Sequence, residues 1–429
     1  MEELYSVYLS STGICTDTRN ITNGCLFVAL KGERFDANEM VADALKGGAS
    51  HVITSNTAFK DNKQCTVVPD TLVALQELAT FHRKHLHIPV IGITGTNGKT
   101  TTKELTAAVL SKKYRVLSTK GNLNNHIGVP LTLLSINENL HDIAVVEMGA
   151  SHPGEIKQLS SFVMPDSGLI TNVGIAHTEG FGSFEGVKAT KRELYEQLKS
   201  TSGKVFININ NPNLVEMLGN YNNAVQYTSG SQSAFISGKV LGPSELLSFS
   251  WSHNGVSYNV NTNLTGAYNL ENALAAATVG TFYNVPANDI CAAISEYIPT
   301  NGRSQIIQTE RNRVIMDAYN ANPTSMMASV NNFASLKGDN KVVILGAMRE
   351  LGNIEYEMHH KLLSALVEHN ISKAYLVGPE FAQLKSSFPS FSYVNDASEL
   401  TDSLSSLSDA YILVKGSHSN RLDKLKDIL

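Results

Sequence analysis

The chain has 429 residues, which is too long for one ordinary hydrophobic core and predicts about two to four domains. Hydrophobic residues make up 42% and charged residues 17%, as in globular proteins, and the net charge of −5 argues against a nucleic-acid partner. We also expect no membrane span and no signal peptide, because no apolar run approaches the ~18 residues that a span requires and the N-terminus lacks a basic and an apolar region.

The cysteines form no C-x-x-C pair and predict reduced, mostly buried thiols in a cytoplasmic protein; they are Cys15, Cys25, Cys65 and Cys291. Three histidines, His82, His85 and His87, lie near a predicted domain joint without the rest of a zinc pattern. We expect them to be surface residues rather than metal ligands. We expect the chain to be a monomer.

The first unit, residues 1–87, alternates short strands with helices. Strands are predicted at 24–30 and 51–54, and helices at 38–47 and 72–85. Polar loops at 16–19 (TDTR) and 30–36 (LKGERFD) flank the strands. Loops at strand ends bind ligands in α/β domains, but composition alone favours ordinary turns here.

The second unit, residues 88–300, opens on IPVIGITGTNGKTTTKELTAAVL. An apolar run at 88–93 predicts a buried parallel strand, and a helix-forming stretch follows at 103–110. Between them, Gly92, Gly95 and Gly98 allow a tight turn that points backbone N–H groups at one spot. This arrangement predicts a nucleotide-phosphate loop.

Two residues after the turn support that interpretation. Lys99 would reach the terminal phosphates of a nucleotide, and the hydroxyl of Thr100 would bind Mg²⁺. The spacing differs from the usual phosphate loop, since Ile93 stands where a glycine is expected five residues before Gly98. A glycine-rich turn with an incidental lysine is the alternative.

Further strands of this unit each end in a polar residue, which predicts βαβ units and a ligand site at the carboxyl edge of a parallel sheet. The strands are predicted at 143–149, 167–177 and 204–210. Glu147 and His177 fall at this edge, near Thr100, and suit a divalent metal held against phosphate. The alternative makes Glu147 a helix-capping acid and His177 a loop histidine.

The pattern then changes to alternation around Asn254-Gly255, which predicts a hairpin over 246–260 and a small antiparallel sheet beside the parallel one. An alanine-rich helix is predicted at 269–280. Asn269 and Asn272 share one face near its start. They either cap the helix or present two amides to an adenine edge.

A joint at 298–303 leads to the third unit, residues 301–429. Strands are predicted at 313–320, 341–348, 373–378 and 410–417, with helices at 323–337 and 356–368. This is a second, Rossmann-like parallel sheet without a phosphate loop of its own. We expect it to complete the nucleotide site of the second unit.

Taken together, these motifs resemble the Mur ligase superfamily, the ATP-dependent amide-forming enzymes of peptidoglycan precursor synthesis. The resemblance spans the whole chain and is strongest to members that join D-alanyl-D-alanine to UDP-N-acetylmuramoyl-tripeptide. The motifs that carry it are FVALKGERFDA (27–37), GITGTNGKTTTKE (92–104), GNLNNHIGVPLTLL (121–134), VVEMGASHPGEI (145–156), ITNVGIAHTEGFGSFEGVKATK (170–191), YNLENALAA (268–276), DAYNANPTSM (317–326) and LVKGS (413–417).

The resemblance implies a site for ATP and Mg²⁺. The ATP phosphates would bind at Gly95, Thr96, Asn97, Gly98, Lys99, Thr100 and Thr101. One Mg²⁺ would bind Thr100 and Glu147, and a second would bind His177 and Lys191, where the family carries a carbamylated lysine. Adding CO₂ turns a cation into an anion that can bind the metal. The expected catalytic residues are Lys99, His177, Lys191 and Arg303.

The resemblance also implies the remaining contacts. Adenine would lie at Asn269 and Asn272, the γ-phosphate at Arg303, and the ribose or base at Asp317 and Asn320. The UDP moiety would lie at Thr18, Arg19 and Lys31, the sugar-peptide at Asn124 and Asn125, and the dipeptide at Lys415 and Ser417.

Three positions depart from the family pattern. Tyr268 replaces a histidine, Ala347 replaces an acidic residue in a G-D-M-x-E-L-G-like stretch, and the last motif continues as Ser-His-Ser-Asn-Arg.

Other functions remain as alternatives to the expected ligase. Within the class, these are the ligase that adds the third peptide residue, although the chain has no D-N-P-R stretch, and folylpolyglutamate synthetase, which the first unit does not suit. Outside it, they are a nucleotide-hydrolysing switch and a non-catalytic nucleotide-binding relative.

Overall fold

The computed structural model describes residues 1–300 and 302–429. Asn301, where the third unit is predicted to begin, lies outside the described residues. Three sheets follow one another along the chain, parallel in most of their pairings, with an antiparallel portion in the second. The predicted α/β class is confirmed, whereas the domain boundaries stay predictions. No helix in the described parts of the chain is both long and apolar enough to cross a membrane.

The first sheet has strands in the order β1-β2-β3-β4, all parallel. Its strands are β1 (Ile14–Cys15), β2 (Leu26–Val28), β3 (His51–Thr54) and β4 (Cys65–Val67), and its helices are α1 (Glu2–Ser10), α2 (Val41–Lys46) and α3 (Thr71–His85). Strand β2 is shorter than predicted because Gly24 has a φ of 83°, outside the extended region. Four cysteines carry free thiols, as expected, two buried and two half-buried.

Helix α3 joins the first unit to the second through a continuous hydrophobic core. Leu75 and Leu78 of α3 belong to the same buried cluster as Val129 and Leu133 of the second unit. Burying apolar area across a joint in this way makes the two units pack as one body. The joint near residue 87 is therefore a packed interface.

Polar contacts reinforce this joint and correct one prediction. His82 is buried, not on the surface, and its Nε2 lies 2.9 Å from the carbonyl oxygen of Ile136. The guanidinium of Arg83, also buried, donates to the carbonyl oxygens of Val163 and Met164, each at 2.9 Å. The prediction for His82 failed because the face of α3 that carries it packs on another unit, whereas His85 and His87 are exposed as expected.

The central sheet has strands in the order β13-β12-β11-β10-β9-β8-β5-β7-β6 within the described residues. Its strands are β5 (Val90–Thr94), β6 (Val116–Ser118), β7 (Ile143–Glu147), β8 (Ser167–Ile170), β9 (Lys204–Asn208), β10 (Ala224–Thr228), β11 (Ile236–Val240), β12 (Leu246–His253) and β13 (Val256–Thr265). Its helices are α4 (Lys99–Leu110), α5 (Gly128–Leu133), α6 (Glu155–Val163), α7 (Thr178–Phe181), α8 (Phe184–Ser200), α9 (Pro212–Leu218), α10 (Asn269–Phe282) and α11 (Ala287–Glu296).

The predicted hairpin is present, and it extends the parallel sheet instead of packing beside it. Strand β11 pairs parallel to β10, and β12 and β13 then continue the same sheet in antiparallel pairing. Asn254 and Gly255 form the turn with φ of 49° and 79°, as the sequence predicts.

The third sheet has strands in the order β14-β15-β19-β16-β17-β18 in the described part of the chain. Its strands are β14 (Gln305–Gln308), β15 (Arg313–Asp317), β16 (Lys341–Gly346), β17 (Lys373–Val377), β18 (Ser392–Val394) and β19 (Tyr411–Lys415), and its helices are α12 (Pro323–Ser335), α13 (Glu355–Glu368) and α14 (Thr401–Ser405). Strand β14 is antiparallel and the others are parallel. Asn322 caps α12, and Pro323 occupies its first turn.

Candidate active site

A cleft of about 800 Å³ lies between the central and third sheets. It is lined by the residues that follow β5, β7 and β8, by the start of α10, and by the ends of β15 and β19. Parallel α/β sheets bind ligands at this edge because loops and helix N-termini converge there. The predicted nucleotide, metal and sugar-peptide residues are all part of the lining except Gly95 and Lys191, and they include Asn124 and Asn125.

The loop between β5 and α4 is built around two glycines. Gly95 has a φ of 146°, and a Cβ there would lie 2.0 Å from Oγ1 of Thr171. Gly98 has a φ of 77°, and a Cβ there would lie 2.4 Å from Oδ1 of Asn272. A side chain at either position would be strained and would displace a neighbour. The loop also points the N-terminus of α4 into the cleft, which suits phosphate.

The side chain of Lys99 folds back onto this loop. Its Nζ donates to the carbonyl oxygens of Gly95 at 2.8 Å and Thr96 at 3.0 Å. Burial lowers the pKa of the Lys99 amine, the negative charge of Glu147 opposes that shift, and Arg303 adds to it. A phosphate group that enters the loop can replace the two carbonyl oxygens as the partner of the Lys99 ammonium, because a charged acceptor binds a cation more strongly than a neutral carbonyl does.

Glu147 ends β7 and is almost completely buried, with 1% of its surface exposed. Asn124 donates to Oε1 at 2.8 Å, while Oε2 is buried without a hydrogen-bond partner in the described structure. The carboxylate does not cap a helix, since among the described residues no helix N–H donates to it. A buried carboxylate oxygen without a donor is costly unless a cation compensates it, so this position fits a metal ligand.

Lys191 lies on α8 and is 2% exposed. Its Nζ has a weak contact with the carbonyl oxygen of Ala150 at 3.5 Å and lies 5.5 Å from the ring centre of Phe181. Burial, and next the charge of Lys99, hold the pKa of the Lys191 amine well below its usual value. The amine is therefore driven toward its neutral, nucleophilic form.

His177 lines the same cleft but does not end a strand. Strand β8 stops at Ile170, because the segment that follows turns onto the phosphate loop: the hydroxyl of Thr171 donates to the carbonyl oxygen of Asn97, and the carbonyl oxygen of Asn172 accepts from the N–H of Thr96. The predicted strand over 171–177 is therefore wrong. His177 has a φ of 50° and precedes α7, and its Nδ1 bonds the carboxylate of Glu350 from the third sheet.

Of the four residues predicted to bind metal, Thr100, Glu147 and His177 line the cleft, whereas Lys191 is buried beside the lining residue Ala150. Across residues 1–300 and 302–429, no group of three His, Cys, Asp or Glu side chains is arranged to hold a metal. The carboxylate of Glu147, with its unpartnered oxygen, is the member of the set that most clearly fits a cation.

Asn269 and Asn272 form a linked amide pair in the cleft wall. Asn272 donates to Oδ1 of Asn269 at 2.8 Å and accepts a hydrogen bond from the hydroxyl of Thr102 at 3.1 Å. Helix α10 begins at Asn269 without a side-chain cap. The capping alternative therefore fails, and both amides remain at the edge of the cleft where adenine is expected.

Residues of the third sheet reach the cleft from the other side. Lys415 is 2% exposed, and its Nζ donates to the Asp317 carboxylate at 2.6 Å and to the carbonyl oxygen of Asn320 at 3.2 Å. The guanidinium carbon of Arg303 lies 3.6 Å from the ring centre of Tyr319. Asp317, predicted to contact the nucleotide, and Lys415, predicted to contact the dipeptide, are therefore joined in one ion pair.

Four of the predicted substrate residues are not among those that line the cleft. Thr18, Arg19 and Lys31 lie in the loops of the first unit, where Arg19 is paired with Asp17 and Lys31 with Asp36. Ser417 follows β19 and accepts a hydrogen bond from the N–H of Ser419. Their contacts with the UDP moiety and the dipeptide stay predictions.

Two side chains, Tyr268 in the lining of the cleft and Asn322 beside it, had no role assigned from the sequence. Asn322 donates to Oδ1 of Asn97 in the phosphate loop at 2.7 Å and so links the third sheet to it. The Asn-Pro pair that starts a helix was the available signal. Tyr268 lies 3.0 Å from the hydroxyl of Ser304, and burial raises its pKa to about 12.

Ala347 stands where the family pattern has an acidic residue, and a nearby side chain supplies a carboxylate. The carboxylate of Glu380 and the Cβ of Ala347 both lie 2.7 Å from where a Cβ on Gly378 would stand. Glu380 also pairs with Arg349 at 2.5 Å. A carboxylate is thus present at this place, supplied by the short 3-10 helix that follows β17.

Comparisons with known proteins agree with this geometry. Residues 93–280 match the Mur ligase middle domain, and residues 302–418 match the Mur ligase glutamate ligase domain. The UDP-N-acetylmuramoyl-tripeptide–D-alanyl-D-alanine ligase of Bacillus subtilis is 37% identical over 377 residues, covering 85% of this chain and 80% of the relative.

Solved structures are similar over nearly the whole chain. A MurF crystal structure from Acinetobacter baumannii has a TM-score of 0.87 at 29% identity and covers 99% of this chain and 97% of that one. MurF ligase from Thermotoga maritima in complex with ADP has a TM-score of 0.86 at 25% identity and covers 98% and 97%. The chain belongs to the Mur ligase family, and within it to the UDP-N-acetylmuramoyl-tripeptide–D-alanyl-D-alanine ligases.

Proposed function

We propose that the chain joins D-alanyl-D-alanine to UDP-N-acetylmuramoyl-tripeptide in an ATP-dependent, amide-forming reaction of cytoplasmic peptidoglycan precursor synthesis. The name of the B. subtilis relative and the ADP in the T. maritima relative support these substrates. The observation that carries the proposal is one cleft that combines a phosphate loop with an uncompensated buried carboxylate at Glu147. The buried amine of Lys191 lies behind its wall, 3.5 Å from the carbonyl oxygen of Ala150 in the lining.

The chemistry follows from the poor reactivity of a carboxylate. The terminal carboxylate of the tripeptide attacks the γ-phosphorus of ATP, which forms an acyl phosphate and releases ADP. The amine of D-alanyl-D-alanine then attacks the acyl carbon and gives a tetrahedral intermediate. Collapse of that intermediate expels phosphate and forms the amide, while the amine loses its proton.

The residues of the chain contribute position and charge to the first step. The N–H groups at the start of α4 would hold the β- and γ-phosphates, and Lys99 would leave the carbonyl oxygens of Gly95 and Thr96 to bind them. Arg303 would meet the γ-phosphate from the side of the third sheet. Fixed cations at the places where charge develops stabilise the transition state.

Magnesium would be held by Thr100, Glu147, His177 and Lys191. It would neutralise phosphate charge and polarise the phosphorus toward attack when bound. Lys191 needs a modification for this role. Burial lowers the pKa of its amine, and the neutral form of the amine would add to CO₂ and lose a proton, which yields a carbamate that can accept a cation. Small carboxylates should then partly restore activity to Lys191→Ala.

The three units divide the substrates. Residues 1–87 would bind the UDP moiety through Thr18, Arg19 and Lys31, residues 88–300 would bind ATP, and residues 301–429 would complete the ATP site. Asn124, which bonds Glu147, and its neighbour Asn125 would hold the sugar-peptide. Lys415 and Ser417 would place the dipeptide, with Lys415 exchanging its pairing to Asp317 for the incoming group. The chain would act as a monomer.

Phosphate release from ATP tests the proposal. It is measured with both UDP-N-acetylmuramoyl-tripeptide and D-alanyl-D-alanine, with each alone, and with neither. The ligase predicts strict dependence on both. A nucleotide-hydrolysing switch would release phosphate without the dipeptide, and a non-catalytic relative would release none under any condition. Replacing the tripeptide by the dipeptide precursor or by a folate substrate separates the other two ligases.

A further inference from the structure

A loop of the third sheet reaches across to the metal side of the cleft. It comprises residues 347–351, directly after β16, and is anchored within its own unit. The N–H of Met348 donates to Nε2 of His359 at 2.9 Å, and Arg349 pairs with Glu380 at 2.5 Å. His359 is fully buried. The loop therefore has a defined shape instead of being a free connection.

This loop docks on the residues around His177. The N–H of Glu179 donates to the carbonyl oxygen of Glu350 at 3.2 Å, and the hydroxyl of Thr178 donates to the carbonyl oxygen of Leu351 at 3.0 Å. Glu350 has a left-handed backbone with a φ of 60°, which costs a non-glycine residue roughly 1 kcal/mol. Strain of this kind is retained where surrounding contacts or function require it.

The carboxylate of Glu350 meets the imidazole of His177 at Nδ1. In the described parts of the chain it is the one side chain that hydrogen-bonds that ring. A carboxylate accepts the Nδ1 proton and thereby leaves the lone pair on Nε2, the nitrogen then able to bind a metal. Carboxylate partners of this type orient metal-binding histidines and raise their basicity.

We propose that Glu350 is a positioning residue that orients His177 for its metal, so that this ligand is ready only when the third unit is docked. The inference rests on the proposed function, in which His177 binds Mg²⁺. The 347–351 loop of the third unit thus supplies the acceptor that selects the tautomer of His177, which belongs to the second unit.

The stability of the protein does not depend strongly on this pair. The His177 and Glu350 side chains are 37% and 55% exposed, and a polar contact so open to solvent contributes little to folding. Variants at Glu350 should therefore fold. This allows the effect on metal binding to be measured without the loss of the enzyme.

The test measures Mn²⁺ binding by electron paramagnetic resonance, on the full chain in the presence of a non-hydrolysable ATP analogue. Glu350→Ala should weaken the His177-dependent Mn²⁺ site about ten- to a hundred-fold. Glu350→Gln, which keeps a carbonyl acceptor, should lose less. Glu368→Gln, at an exposed carboxylate in the last turn of α13, is the matched control and should bind Mn²⁺ as the unaltered chain does.

A double-mutant cycle separates positioning from a loosened domain contact. In a His177→Ala background, Glu350→Ala should cause no further loss of Mn²⁺ affinity. Equal losses in both backgrounds, or unchanged Mn²⁺ binding in Glu350→Ala, would overturn the inference. Neither result depends on turnover, so the dependence of phosphate release on both substrates tests the proposed function separately.

Discussion

Replacing Gly98 by alanine should damage the phosphate loop in a way that can be separated from backbone strain. The new Cβ would lie 2.4 Å from Oδ1 of Asn272, whose amide is held on both sides by Asn269 and Thr102. Moving that amide gives up two buried hydrogen bonds, each worth about 1 kcal/mol. The left-handed φ of 77° adds about 1 kcal/mol of strain.

Gly255→Ala is the matched control. Gly255 has a φ of 79°, but nothing lies within 4 Å of where its Cβ would stand. Gly255→Ala has the same backbone strain and the same loss of conformational entropy in the unfolded chain as Gly98→Ala. The difference in unfolding free energy between the two variants therefore isolates the clash of the new Cβ with Asn272. Urea unfolding should place Gly98→Ala about 2 kcal/mol below Gly255→Ala.

Calorimetry should show at least about tenfold weaker ATP binding in Gly98→Ala, equivalent to about 1.4 kcal/mol, and unchanged binding in Gly255→Ala. Equal unfolding free energies together with equal ATP affinity in the two variants would refute the reasoning.

Three other predictions concern charged groups. Lys99→Ala should lower kcat at least about 100-fold with UDP-substrate affinity nearly intact, because it removes transition-state charge stabilisation; unchanged turnover in a steady-state assay would contradict the assignment. Arg83→Met should lower the free energy of unfolding in urea by about 2–3 kcal/mol, since three carbonyl oxygens lose this donor, whereas Arg115→Met at a surface ion pair should cost under ~1 kcal/mol; equal costs would count against the packed joint. Lys191→Met should be more stable than the unaltered chain in CO₂-free buffer at pH 7. Because the pKa of Lys191 is lowered by folding, the unfolded chain binds more protons between the two pKa values, so wild-type stability rises with pH there and the advantage should shrink toward pH 10; a constant gap would exclude the shift.

The local parts of the site were predictable from the sequence. The strand, glycine turn and helix around Lys99 are consecutive, and their geometry follows from φ requirements and apolar patterning within a short stretch. Glu147 at the end of β7 was predictable for the same reason. The predicted strand through His177 failed because Thr171 bonds the phosphate loop, a partner remote in sequence that no local pattern reveals.

The sequence by itself determined the α/β class, the phosphate loop, the hairpin at Asn254-Gly255 and, through its motifs, the family. Only the tertiary structure decided that α3 shares a core with the central unit and that the hairpin extends the parallel sheet. It also decided that Glu350 meets His177 and that Lys415 pairs with Asp317. These contacts join groups that are distant along the chain, and their formation depends on how whole sheets and helices pack, which local propensity does not encode.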